Sequence, residues 1–109
     1  VQTCALPIWD FSLKLLRCSY AAYGKYSDLL SSLVSSFEKD RLVSTDVCLM
    51  VCCLAEVMNF DSIPARVSIN EYVEISKFYG TPKSSVFVNG LLDRAVRKLL
   101  SESGSTKTL

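Results

Sequence analysis

Apolar residues recur along most of the chain at intervals of three and four, the spacing of helices that bury one face, and strict alternation is absent. In DFSLKLLRCSYAAY the apolar series is Phe11, Leu15, Cys18 and Ala22, with Asp10 placed to cap the helix. After Gly24 a second series holds Leu29, Leu30, Leu33, Val34 and Phe37, and the charged run EKDR interrupts it. A third helix is predicted from Ser44 or Thr45, with Asp46 in its first turn, where the helix dipole favours negative charge. Its continuation, VCLMVCCLAEVMNF, is apolar nearly all round and predicts the buried centre of a bundle. Asp61-Ser62 ends it, and Pro64 suits the first turn of a fourth helix that closes at Gly80. After the loop TPKS, with Ser84 or Ser85 as cap, a fifth helix reaches about Leu100. Val88, Leu91, Leu92, Ala95 and Leu99 form its i, i+3, i+4, i+7, i+11 stripe. Short connections between five such helices predict an all-α bundle.

The two ends do not follow this pattern. Residues 1–9, VQTCALPIW, carry no cap and no register leading into the first helix. Two readings stand: a non-native addition such as translated adapter sequence, or a short arm whose Trp9 packs on the bundle. Residues 10–100 then form the helical domain, and residues 101–109, SESGSTKTL, lack apolar periodicity and are expected to be a disordered tail.

Composition narrows the function classes. Half of the 109 residues are hydrophobic and the formal net charge is +1, so charge alone does not announce a polyanionic partner. Between Lys83 and Lys98, however, Lys83, Arg94, Arg97 and Lys98 face a single acid, Asp93. The five cysteines show no disulfide framework, and they read as core thiols in a reducing compartment. Cys48 and Cys52 share a helix face, but the chain has no histidine and no second cysteine pair to complete a metal site. The missing histidine also removes the usual nucleophile–base pairings, and the four glycines are scattered too widely for a phosphate-cradling loop. Glu71 and Glu74, one turn apart, read as surface or interhelix charges rather than a catalytic carboxylate pair. No apolar run approaches a membrane span. The chain is therefore expected to be a cytoplasmic binding module with no enzymatic activity, cofactor or metal.

One feature conflicts with its surroundings. Asn89-Gly90 is a strong turn signal set inside the fifth helical stripe. Glycine in a helix costs about 1 kcal/mol relative to alanine, so close approach by another helix or a ligand is the expected compensation. Asn89 is then expected to be a buried amide, with Asn70 or Glu71 as the partner that clasps the fourth helix to the fifth.

The same residues carry a family resemblance. IPARVSINEYVEISKFYG followed by SSVFVNGLLDRAV resembles the C-terminal half of the NusB family of bacterial transcription antitermination factors. Ile69, Asn70 and Glu71, then Phe87, Val88, Asn89 and Gly90 with Leu92 and Asp93, match the family pattern in order and spacing. More faintly, LKLLRCSYAAYGKYSDLL and LVSTDVCLMVCCLAEV are similar to the family's preceding helices, and its first two helices have no counterpart before them. An N-terminally incomplete chain is the expectation. The resemblance implies an all-helical fold of two small packed bundles, the N-terminal one incomplete. It implies binding of single-stranded boxA RNA together with NusE, a ribosomal protein, within the RNA polymerase antitermination complex of ribosomal RNA operons.

By the same resemblance, the candidate RNA-binding residues are Lys83, Ser84, Ser85, Phe87 and Arg94. Phe87 is open to two readings, a base-stacking ring or a core side chain. The family's arginine-rich N-terminal segment has no counterpart. Its phosphate-contacting lysine falls on Val86, while Lys83 adds a positive charge where an acid is usual. Val51 and Ala55 stand where the family often has Arg and an aromatic before its Glu, which predicts an altered surface beside Glu56. Two rival functions remain: the NusB-like domain of a ribosomal RNA cytosine methyltransferase, and a helical protein adaptor with no RNA role.

Overall fold

A computed structural model of the chain describes residues 6–36, 39–79, 82–104 and 107–109. Over these it is a helical bundle: α1 (Leu6–Ala21), α2 (Tyr23–Leu33), α3 (Ser44–Asn59), α4 (Ala65–Tyr79) and α5 (Pro82–Ser103), with a 3₁₀ turn at Lys39–Arg41. Helix α3 touches all four of the others, as its all-round apolar sequence predicts. Met50, Val51, Cys53, Leu54, Ala55 and Val57 are all buried along it. Val51 and Ala55 are thus core residues, and the altered surface expected beside Glu56 does not exist. Burial pushes the Cys53 thiol well above its usual range, with the neighbouring Glu56 adding to the shift, so this thiol is an inert packing group.

Helices α4 and α5 bury matching stripes. Ala65, Ser68, Ile69, Tyr72 and Ser76 line the inner face of α4. Val88, Leu91, Leu92, Ala95 and Leu99 do the same for α5. Two of the α4 positions are serines, and they serve different ends. Ser68 Oγ donates to Glu56 Oε2 at 2.5 Å, and the Tyr72 hydroxyl donates to Glu56 Oε1 at 3.3 Å. Ser76 returns its proton to the Val73 carbonyl at 2.6 Å. Burial, and then the charge of Glu56, holds the Tyr72 phenol far above its ordinary pKa, so it remains a donor at all physiological pH. The polar clasp between helices therefore joins α3 to α4 through Glu56.

The expected clasp between α4 and α5 is absent. Asn70, Glu71 and Asn89 are all exposed, and among the described residues no hydrogen bond links them. Gly90 is exposed as well, and a Cβ built on it meets nothing within 4 Å. The reason is angular. Consecutive helical residues project about 100° apart, so Asn89 and Gly90 lie off the stripe set by Val88, Leu91 and Leu92. Close packing consequently does not explain Gly90. Gly90→Ala is expected to stabilise the fold by about 0.5–1 kcal/mol, readable as a higher midpoint in urea with an unchanged slope.

The ends of the elements also differ from expectation. Helix α1 already includes Leu6, which places Asp10 inside it rather than at its cap, and Trp9 is 64% exposed rather than packed on the bundle. Phe37 and Gly80 lie outside the described residues. Helix α5 starts at Pro82, so Ser84 and Ser85 sit within its first turns, consistent with proline's preference for the first helical position. Helix α3 does begin at Ser44 with Asp46 in its first turn, as expected, and the burial of Asp46 raises its pKa by desolvation. At the other end, Ser101–Ser103 complete α5, and Gly104 turns left-handed at φ 67°. Lys107 Nζ then donates to the Val57 and Phe60 carbonyls at 2.8 and 2.6 Å, and Leu109 packs on the core. These contacts cap the C-terminal end of α3, so the described residues 107–109 are packed on the bundle.

Candidate nucleic-acid interface

Two arginines tie α5 to its neighbours, Arg41 joining the 3₁₀ turn Lys39–Arg41 to the first turn of α5, and Arg94 joining the middle of α5 to the end of α2. Arg41 Nη2 donates to the Lys83 carbonyl at 3.3 Å, and its guanidinium carbon lies 4.5 Å from the centroid of the Phe87 ring. Arg94 Nη1 donates to the Leu33 carbonyl at 3.0 Å, satisfying the last residue of α2, and its Nε reaches the Gly90 carbonyl at 3.5 Å. Arg94 thus fastens α5 to α2, and only what remains of its exposed guanidinium faces solvent.

The predicted RNA-binding residues separate into two groups. Lys83 is exposed, and among the described residues no ion pair holds its ammonium. Ser84 is half-buried, Ser85 is buried, and both already have interaction partners. Phe87 is only 7% exposed, so the core reading of this side chain is the correct one, and Arg41 lies over its ring. Val86 is 73% exposed, which places an apolar side chain on the surface beside Lys83. Arg41, in sequence only one member of the charged run EKDR, sits against this group. Its only sequence signal was a cation beside the apolar Leu42-Val43.

Around the helix, the charges of α5 are partly cancelled. Asp93 accepts from Arg66 and from Arg97 at 3.0 Å each. The Arg97 hydrogen bond, followed by that of Arg66, holds the Asp93 carboxyl below its usual pKa against the opposing effect of desolvation. Asp93 is therefore a cross-helix tie between α4 and α5, while Ile69 is plain core. The motif residues Asn70, Glu71, Asn89 and Gly90 are left facing solvent.

A second surface is apolar. Leu15, Cys48, Leu49, Cys52, Tyr72 and Tyr79 line a groove of about 460 Å³ between α1, α3 and α4. Beside it α1 exposes Ile8, Leu13, Leu16 and Tyr20. Cys48 is exposed rather than a core thiol, and its Sγ lies 4.0 Å from the Tyr23 hydroxyl. Cys18 and Cys52 are half-buried, and Cys4 lies outside the described residues. Among the described residues no group of three potential ligands could hold a metal ion, and no helix is long and apolar enough to cross a membrane.

The described residues form an all-α bundle organised on one buried helix, with a small cationic corner at the start of its last helix. Its sequence places it more narrowly: residues 4–97 match the NusB family, and the chain belongs to that family. The match starts at Cys4, so it takes in part of the segment expected to be foreign to the family. The chain is 36% identical over 75 residues to the transcription antitermination protein NusB of Natranaerobius thermophilus, covering 69% of this chain and 54% of that protein. It is 29% identical over 99 residues to that of Salinibacter ruber, covering 91% of this chain and 62% of the relative. With that of Chloroherpeton thalassium it shares 34% over 93 residues, covering 85% of this chain and 44% of the relative. The chain thus spans about half the length of the curated relatives it matches. No solved structure matches it at a significant level.

Proposed function

We propose that the chain acts in the cytoplasm as a transcription antitermination factor, binding single-stranded boxA RNA together with NusE in the RNA polymerase complex of ribosomal RNA operons. The observation that carries this reading is the family match over residues 4–97 combined with the exposure of the family's own polar motif. Asn70, Glu71, Asn89 and Gly90 contribute little to the core, and Gly90 even lowers helix stability, so their presence is accounted for by contact with a partner. The bare backbone edge at Gly90 admits a partner chain closely. Lys83 and Arg41 supply positive charge for phosphates at the adjoining end of α5. No catalytic step, metal or cofactor belongs to this reading.

The adaptor reading draws support from one observation, the apolar groove and the exposed apolar face of α1. The two readings differ in a native-gel titration of the chain with purified NusE and labelled boxA RNA. The antitermination reading expects a slower band that requires all three components. A band containing NusE alone, indifferent to RNA, would favour the adaptor. Absence of binding to both would refute the antitermination reading.

A further inference from the structure

The loop–helix corner that carries Lys83 contains a guanidinium whose position is fixed from two sides. Arg41 lies over the Phe87 ring at 4.5 Å and donates to the Lys83 carbonyl at 3.3 Å. Its backbone is fixed too: Leu42 N–H donates to the Lys39 carbonyl at 3.0 Å, and Val43 N–H donates to the Arg41 carbonyl at 3.1 Å. Yet Arg41 is exposed, and among the described residues no carboxylate pairs with it, although Asp40 is its neighbour in the turn. An unpaired arginine on a surface normally samples many rotamers. Here an aromatic face and a carbonyl restrict it before any ligand arrives.

We propose that Arg41 is the base-stacking element of the RNA surface, taking over the role that a buried Phe87 ring cannot fill. Arginine guanidinium planes stack on unpaired bases, and the group retains donors for a phosphate after one is used on Lys83. Phe87 serves as the backing that orients the guanidinium, while Lys83, whose carbonyl accepts from Arg41, and Lys39, two residues earlier in the turn, add positive charge. Pre-ordering reduces the entropy lost when the base docks. The ligand is single-stranded RNA, an unpaired base with its adjoining phosphate. The inference rests on the RNA-binding reading above, but it can fail independently.

The test is fluorescence anisotropy of labelled boxA RNA with the 109-residue chain and its Arg41→Lys and Arg41→Gln variants. A companion set of RNAs carries one abasic nucleotide at each position in turn. Stacking one base is worth roughly five- to a hundredfold in affinity, so one abasic position should weaken wild-type binding about tenfold. Arg41→Lys should weaken binding to intact RNA by a similar factor with an unchanged salt slope, because its charge is kept. At the sensitive abasic position it should show no further loss. Arg41→Gln should lose affinity and also flatten the salt dependence by nearly one phosphate. Unchanged melting curves would show that the variants fold. If the wild type binds RNA and Arg41→Lys binds within twofold of it, or if the variant and abasic losses multiply, the stacking role is overturned and the RNA-binding reading survives. If the wild type binds no RNA, both fall.

Discussion

Glu56→Ala is expected to lower the free energy of unfolding by about 2–3 kcal/mol, because it leaves two buried hydroxyls without their acceptor. Ser68 and Tyr72 both donate to this carboxylate, from the inner face of α4 into α3. Removing one partner of a buried hydrogen bond exposes the other to its full desolvation cost, which exceeds the modest net value of an intact bond. For a chain of this size, 1 kcal/mol moves the melting midpoint by roughly 4–8 °C, so the variant should melt on the order of 10–20 °C lower. Glu56→Gln keeps an acceptor for one hydroxyl and should recover part of the loss. Thermal unfolding followed by circular dichroism separates the two. Equal melting of both variants with wild type would show that the clasp is energetically idle.

The second large effect is expected at Leu92, fully buried on α5. Helix α5 packs against α2, α3 and α4, so a void at Leu92 opens at the meeting of several helices and cannot be closed by one small shift. Leu92→Ala should cost about 3–5 kcal/mol, from lost transfer energy plus the residual cavity. Single domains are commonly stable by only about 5–15 kcal/mol, so this variant should show a much reduced urea midpoint or unfold outright at 37 °C. Leu92→Met, which conserves volume, should lose less than about 1.5 kcal/mol. A Leu92→Ala protein with wild-type stability would contradict the packing described for α5.

How much of this was visible in the chain depends on whether the determining contact was local. The centre of the bundle was legible because α3 has almost no polar face, and such a helix has nowhere to go but the interior. The stripe of α5 was legible for the same reason. Asn89-Gly90 was misjudged because a residue next to a buried position is not itself on the buried face, and a turn of about 100° carried both to solvent. The buried polar partner of α4 was hidden because serines at core positions read as solvent-facing until Glu56 is seen opposite them. Arg94, Arg41 and Lys107 were beyond reach of any pattern. Each acts across 42 to 61 residues on a backbone carbonyl, and no side-chain type marks a carbonyl that needs a donor. The family motif was readable, but the exposure of its Asn70, Glu71, Asn89 and Gly90 was not.

Anisotropy titration of boxA RNA against a base-scrambled RNA of equal length, with NusE present and at several salt concentrations, tests the central claim most directly. The account predicts tighter binding to boxA by at least about tenfold. It also predicts a logarithmic salt slope near −2, as expected if Lys39, Arg41 and Lys83 neutralise about three phosphates of a single strand. Equal affinity for the two RNAs, or binding that salt does not weaken, would contradict it.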